Sequence, residues 1–231
     1  GQQSISPASK IKNSKILAID LSLSSLAYAK RKTEELNIQN IQYMQADILD
    51  IGQLGRKFDV IKCSGVLHHM DEPMAGWRSL TDCLKKGGLM KVALYSELAR
   101  QHIVKIRNEI SNSEFASTEV AMKSFRSDMI NSSQSHHKSI RSIKDFYSLS
   151  ELRDLLFHIQ EHRFTIPQIQ DCLSRLGLKF SGFESDAIVR QFKQINTGMD
   201  DAYDLDKWHL YEQANPETFI SMYQFWCQKI A

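Results

Sequence analysis

The first 96 residues alternate short apolar runs with capped, helix-like stretches. Residues 16–21 (ILAIDL) read as a short buried strand that ends on an acid, Asp20. Ser22 or Ser24 caps a helix through Ser25 to Leu36, with Leu26, Ala29 and Leu36 on its buried face. Asn37 and Asn40 bracket a turn before a second strand at 41–45 and the pair Ala46-Asp47. Residues 58–63 (FDVIKC) form a third strand ending at Ser64-Gly65. A helix over 74–84 is stopped by Gly87-Gly88, and 89–95 (LMKVALY) is a fourth strand. Strands alternating with helices at this spacing predict an α/β fold with a mostly parallel sheet. Such sheets bind ligands at the carboxyl ends of their strands, where Asp20, Asp47 and Ser64-Gly65 fall.

After Tyr95 the pattern turns helical, from Glu97 to about Met129, with a break at Ser111-Asn112-Ser113. Residues 131–139 (NSSQSHHKS) read as a polar loop, and 150–161 as an amphipathic helix with Leu152, Leu155, Leu156 and Ile159 on one side. Thr165, Pro167 and Gly177 mark the cap, first turn and end of a further helix, followed by a strand at 178–183. Asn215-Pro216-Glu217 then predicts a last helix through Phe219, Met222, Tyr223 and Trp226. One domain over 1–231 is expected, with a cofactor half at 1–96, a helical insertion at 97–161 and a returning helix–strand and helical tail at 162–231.

Composition narrows the function. At 42% hydrophobic and 24% charged residues, the chain is an ordinary globular sequence. A net charge of +2 gives no reason to expect nucleic acid or an anionic membrane as partner. Cys63, Cys83, Cys172 and Cys227 lie far apart, which suggests neither zinc nor a disulfide framework. No run approaches the roughly 20 apolar residues of a membrane span, and GQQSISPASK lacks the apolar core of a signal peptide. A cytoplasmic location is the default expectation.

A carboxylate at a strand end accepts hydrogen bonds from both hydroxyls of a ribose; Asp20 reads equally as a turn or N-cap residue. Asp47 suits an adenine amino group, with the Ile48 backbone N–H facing a ring nitrogen, or a helix cap. His68 and His69 follow the third strand end. They are candidate general bases, set against packing under the loop for one and solvation for the other. Tyr147 and His158 are lesser candidates, and His136-His137 is expected to be solvated, so no metal is expected. Trp208, Tyr211, Phe219, Tyr223, Phe225 and Trp226 read as helix-packing core before a substrate wall. Lys123, Arg126, Lys138, Arg141 and Lys144 read as a solvated basic face before an anion site.

Four pieces together, ILAIDLS, QADILD, FDVIKCSGVLHHM and LKKGGLMKVALY, resemble the class I S-adenosylmethionine-dependent methyltransferases across residues 15–95. The resemblance implies a Rossmann-like sheet with S-adenosyl-L-methionine as cofactor. Asp20 with Leu21 would hold the ribose, Asp47 with Ile48 the adenine, and Cys63, Ser64 and Gly65 the methionine side. Lys86 stands where the family often has proline. SLSELRDLLFH and EQANPETFISMYQFW are similar, more weakly, to methyltransferase modules that follow tetratricopeptide repeats in some bacterial proteins.

The family's first strand and glycine loop belong in front of GQQS. Gly1 stands about 20 residues before the acid, where the last loop glycine falls, or is a cloning remnant. The expectation is a fold lacking that central strand. The strands at 16–21 and 58–63 would then pair directly or be bridged by another segment or chain, through a dimer or strand exchange. Cofactor binding by this chain would be weak or absent and recovered by about 15–20 upstream residues. The methyl acceptor is a small molecule or a protein. The rival readings are a noncatalytic methyltransferase-like binding module and an NAD-dependent dehydrogenase.

Overall fold

The computed structural model describes residues 2–11, 13–113, 118–141, 143–157 and 161–230. They form two compact units, Gly1–Lys57 with Ala75–Cys83, and Phe58–Met74 with Leu84–Ala231. Gly1 and His158 lie outside the described residues.

In the first unit α1 (Gln2–Lys10) precedes β1 (Ile16–Asp20), α2 (Leu23–Glu35), β2 (Ile41–Gln45) and a 3-10 helix, Ile48–Leu54. The polar N-terminal segment gave no sign of α1; Asn40 Nδ2 pins its end by donating to Ala8 O at 3.1 Å and Ser14 Oγ at 3.0 Å. β1 and β2 pair in parallel, with Ile16 opposite Ile41 and Asp20 opposite Gln45. Ser22 caps α2, its hydroxyl accepting from Ser25 N at 3.2 Å, and Leu26, Ala29 and Thr33 form the buried stripe. Leu36, expected in that stripe, is 59% exposed as the C-cap, because the helix ends one residue before it. Most of α3 (Pro73–Cys83) belongs here too, burying Gly76, Trp77, Leu80 and Thr81 at helical spacing.

The second unit holds β3 (Phe58–Ser64), β4 (Leu84–Ser96), β5 (Arg163–Phe164), β6 (Leu178–Phe183) and β7 (Tyr223–Lys229). The order is β3-β4-β7-β6, with β5 beside the end of β4. β3 and β5 run parallel to β4, while β7 is antiparallel to both its neighbours. The helices are α4 (Gln101–Asn112), α5 (Glu119–Asn131), α6 (Ser135–Ile140), α7 (Leu149–Leu152), α8 (Ile166–Leu176), α9 (Asp186–Lys193) and α10 (Leu205–Ala214). α8 starts on the expected Thr165, in a full capping box, and ends on Gly177 at φ 64.

Four expectations are corrected. The tail helix through Tyr223 and Trp226 is β7. Tyr223, Phe225 and Cys227 are fully buried and alternate with more exposed residues, so the period of two prevails over the helical spacing once β4 and β6 pair on both sides. Gly87-Gly88 does not stop a helix but lies within β4. Leu84 pairs with Phe58 and Leu89 with Val60, so the intervening residues leave the ladder, with Gly87 at φ 75. A Cβ on Gly88 would stand 2.9 Å from Lys85 O and 3.0 Å from Asp59 O, which no side chain tolerates. The polar loop at 131–139 contains α6, and its His136 and His137 are mostly buried against Glu109 rather than solvated. Finally, β1 pairs with β2 and β3 with β4 in separate sheets; neither direct pairing of β1 with β3 nor a bridging segment occurs among the described residues. The segment in front of β1 is helical and supplies no strand.

Of the tail aromatics, Trp208, Phe219, Tyr223 and Phe225 fill the core of the second unit, while Tyr211 and Trp226 are half-buried. Trp208 stacks on Phe192 at 3.7 Å between ring centroids and donates its indole N–H to Ala202 O; Phe219, Tyr223 and Phe225 are also at most 2% exposed. Arg126 and Arg141 of the basic set are spent on the carbonyls of Tyr147, His137, Ile130 and Ser132.

Glu212 of α10 is wholly buried and ties that helix to the sheet. Its carboxyl accepts from Ser96 Oγ at 2.6 Å and from the Tyr223 hydroxyl at 2.6 and 2.7 Å. Burial pushes its pKa up, opposed by those hydroxyls. The fold therefore favours the protonated acid. That contribution to stability is complete below the unfolded carboxyl value and is lost as pH rises through the folded one. Glu212→Gln is expected to flatten this pH dependence, and Glu212→Ala to cost about 1–3 kcal/mol by stranding two hydroxyls. Urea unfolding across pH checks both, and an unchanged slope in Glu212→Gln would exclude this residue as its source.

Candidate active site

Asp20 and Asp47 stand at the carboxyl ends of adjacent parallel strands in the first unit. Each also serves the local turn. Asp20 Oδ1 accepts from Ser22 N at 2.9 Å, and Asp47, the cap of the 3-10 helix, accepts from Leu49 N at 2.9 Å. Asp20 is exposed and Asp47 half-buried, so both carboxylates meet solvent while fixing their own loops. Leu21 is 65% exposed, and its carbonyl accepts from Gln45 Nε2 at 2.9 Å, which ties the two strand ends together. Ile48, half-buried, opens the 3-10 turn. Two strand-end acids on one rim, one with an exposed carboxylate, suit the hydroxyls and amino group of an adenosine.

The second unit carries the turn after β3. Cys63 is buried, and burial pushes its thiol up to about 12 against the opposing Leu67 backbone, so it is a packing group rather than a nucleophile. Ser64 is half-buried, and Gly65 turns the exposed chain at φ 76, a conformation that strains any other residue. All four cysteines are buried free thiols.

The two histidines part company. His68 is fully buried, 4.1 Å from the Tyr95 ring and 4.3 Å from the His69 ring, and its carbonyl accepts from His162 N at 2.7 Å. His69 is half-buried and is the member that reaches solvent. Tyr147, 59% exposed, spends its hydroxyl on Arg141 O.

Sequence reasoning missed what surrounds Tyr95. The Arg100 guanidinium lies 3.6 Å from the centroid of its ring and forks onto Glu161, Nε at 3.0 Å and Nη2 at 2.8 Å. Arg107 Nη2 reaches the same carboxylate at 3.0 Å and Leu155 O at 2.8 Å, while Arg163 Nε donates to Glu97 at 2.9 Å. Burial pushes the Tyr95 hydroxyl up, with Arg100 opposing. This places a frame of three arginines and two carboxylates next to the Tyr95 ring, which contacts His68 and His69, at the carboxyl end of β4. The one available signal was SELAR, an acid and a base directly after a strand; Glu161 lies too far along the chain to pair by eye.

Residues 2–90 match the family described as Methyltransferase domain. An uncharacterized protein of Synechococcus sp. is 26% identical over 227 residues, covering 92% of this chain and 54% of the relative. The structure of PKMT2 from Rickettsia typhi in complex with AdoHcy superposes with a TM-score of 0.65 at 17% identity, covering 94% of this chain and 44% of that one. The plantazolicin methyltransferase BamL gives 0.52 at 16% identity, covering 100% of this chain and 74% of that one. The chain therefore spans about half the length of the Synechococcus and Rickettsia proteins. Among the described residues no helix is long and apolar enough to cross a membrane. Residues 2–90 match a methyltransferase domain, and the chain has the Rossmann-like fold seen in S-adenosylmethionine-dependent methyltransferases.

Proposed function

We propose that the chain takes part in methyl transfer from S-adenosylmethionine to a small-molecule or protein acceptor. The observation that carries this reading is the pair of acids, Asp20 and Asp47, on one rim of two parallel strands. Asp20 with Leu21 holds the ribose, Asp47 with the Ile48 N–H holds the adenine, and Cys63, Ser64 and Gly65 border the methionine side. The cofactor brings an already activated methyl group, so the protein's task is largely positioning.

Residues 97–161 carry the acceptor contacts. Arg100, locked over Tyr95 by Glu161, supports this role because it stiffens the rim where an acceptor meets His69. His69 takes a proton when the acceptor carries one, and otherwise only orients it. His68 holds the turn from below. Hydrogen exchange with S-adenosylhomocysteine and acceptor analogues tests this assignment. Added protection is expected in the described parts of 97–161 and at 64–70. Protection confined to the amino ends of β3 and β4 would overturn it.

A further inference from the structure

Away from these residues, three metal-ligating side chains converge between α4 and α6. His136 Nε2 lies 2.5 Å from Glu109 Oε1, and His137 Nε2 lies 2.7 Å from Glu109 Oε2. Their donor atoms all fall within 4.8 Å of one another. The histidine side chains keep only 15% and 10% of their surface, and Glu109 keeps 38%, so the cluster is mostly enclosed yet reachable by an ion. We propose that Glu109, His136 and His137 form a binding site for a divalent transition metal of the zinc type, which joins α6 to α4.

Two imidazoles and a carboxylate are a donor set for zinc or its neighbours rather than for calcium or magnesium. Consecutive residues on a helix point in different directions, yet both rings here turn their Nε2 atoms to one carboxylate. His137 Nδ1 is buried with no hydrogen-bond partner among the described residues, so that ring's polar contacts lie on its Nε2 side. Ligand bonds of about 2.0–2.2 Å around a tetrahedral ion set donor atoms roughly 3.3 Å apart. The two imidazole–carboxylate separations of 2.5 and 2.7 Å therefore need to open by only about 0.6–0.8 Å to admit one. Ile106 and Ile140, each with 0% exposure, anchor the two helices in a shared apolar cluster one turn from the ligands, so the backbones are preset. One carboxylate and two neutral rings leave a net positive site with room for a water or a further donor. The ion would brace the helical insertion, independently of the methyltransferase reading.

The test is titration of the chelator-treated chain with Zn2+ by calorimetry and with Co2+ by visible absorption. One ion per chain is expected, with the intense visible bands of low-coordinate cobalt. Glu109→Gln keeps an oxygen acceptor for a ring N–H but loses the anionic ligand. It and the double variant His136→Gln/His137→Gln are expected to bind at least about tenfold more weakly, with unchanged far-UV circular dichroism. No uptake, or uptake equally tight in both variants, would overturn the site and leave a hydrogen-bonded clamp. If a variant unfolds, the unaltered chain decides: Zn2+ must shift the ring resonances of His136 and His137, and unmoved resonances reject the proposal.

Discussion

Replacing Glu161 with alanine is expected to destabilise the protein by about 3–5 kcal/mol, because it strands buried cations. The Glu161 side chain is 1% exposed and Arg100 is 4% exposed, so neither reaches water easily. Arg107, at 15%, leans on the same carboxylate, and Arg163 Nη1 lies 4.0 Å away. Without the acid, Arg107 still has Leu155 O and Arg163 still has Glu97, but Arg100 keeps only the face of Tyr95. The loss is therefore centred on Arg100, which makes Arg100→Met combined with Glu161→Ala markedly less harmful than Glu161→Ala alone. Equilibrium denaturant unfolding of the three proteins checks this. A loss below about 1 kcal/mol for Glu161→Ala would mean that water already screens the cluster. Because Tyr95 also touches both His68 and His69, the same substitution is expected to loosen the proposed acceptor side.

The parts of this fold that sequence made legible are those with local punctuation. Asp20 and Ser22 end one element and start the next. Thr165, Pro167 and Gly177 delimit α8, and the apolar runs at 16–20, 41–45 and 58–64 become strands. What escaped was decided by distant partners. β7 is a strand because β4 and β6 hydrogen-bond to it, whereas its aromatics alone suit a helix equally well. The glycines of β4 looked like a helix stop because their role, a close approach to the Asp59 carbonyl, depends on β3. α6 was hidden by its polar composition, and Glu109 lies 27 and 28 residues from the histidines that it anchors. Among the candidate site residues, the strand-end acids were legible because strand ends are. The Arg100–Glu161 fork joins residues 61 apart and leaves no periodic trace.

The central claim is that the strand-end acids of this fold hold S-adenosylmethionine, and Asp20 is where it is most exposed to test. Its carboxylate stands in solvent at the end of β1 and, among the described residues, supports one turn bond, to Ser22 N, so Asp20→Ala is expected to leave thermal unfolding nearly unchanged. Each charge-assisted bond to a ribose hydroxyl contributes about 1.5–3 kcal/mol, which is roughly tenfold or more in affinity for every bond lost. The measurement is calorimetric titration of S-adenosylhomocysteine into the full-length protein and its Asp20→Ala variant, side by side. The predicted result is saturable binding, weakened at least about tenfold in a variant that folds normally. Equal affinity in the two proteins would contradict the claim and reduce Asp20 to a turn residue.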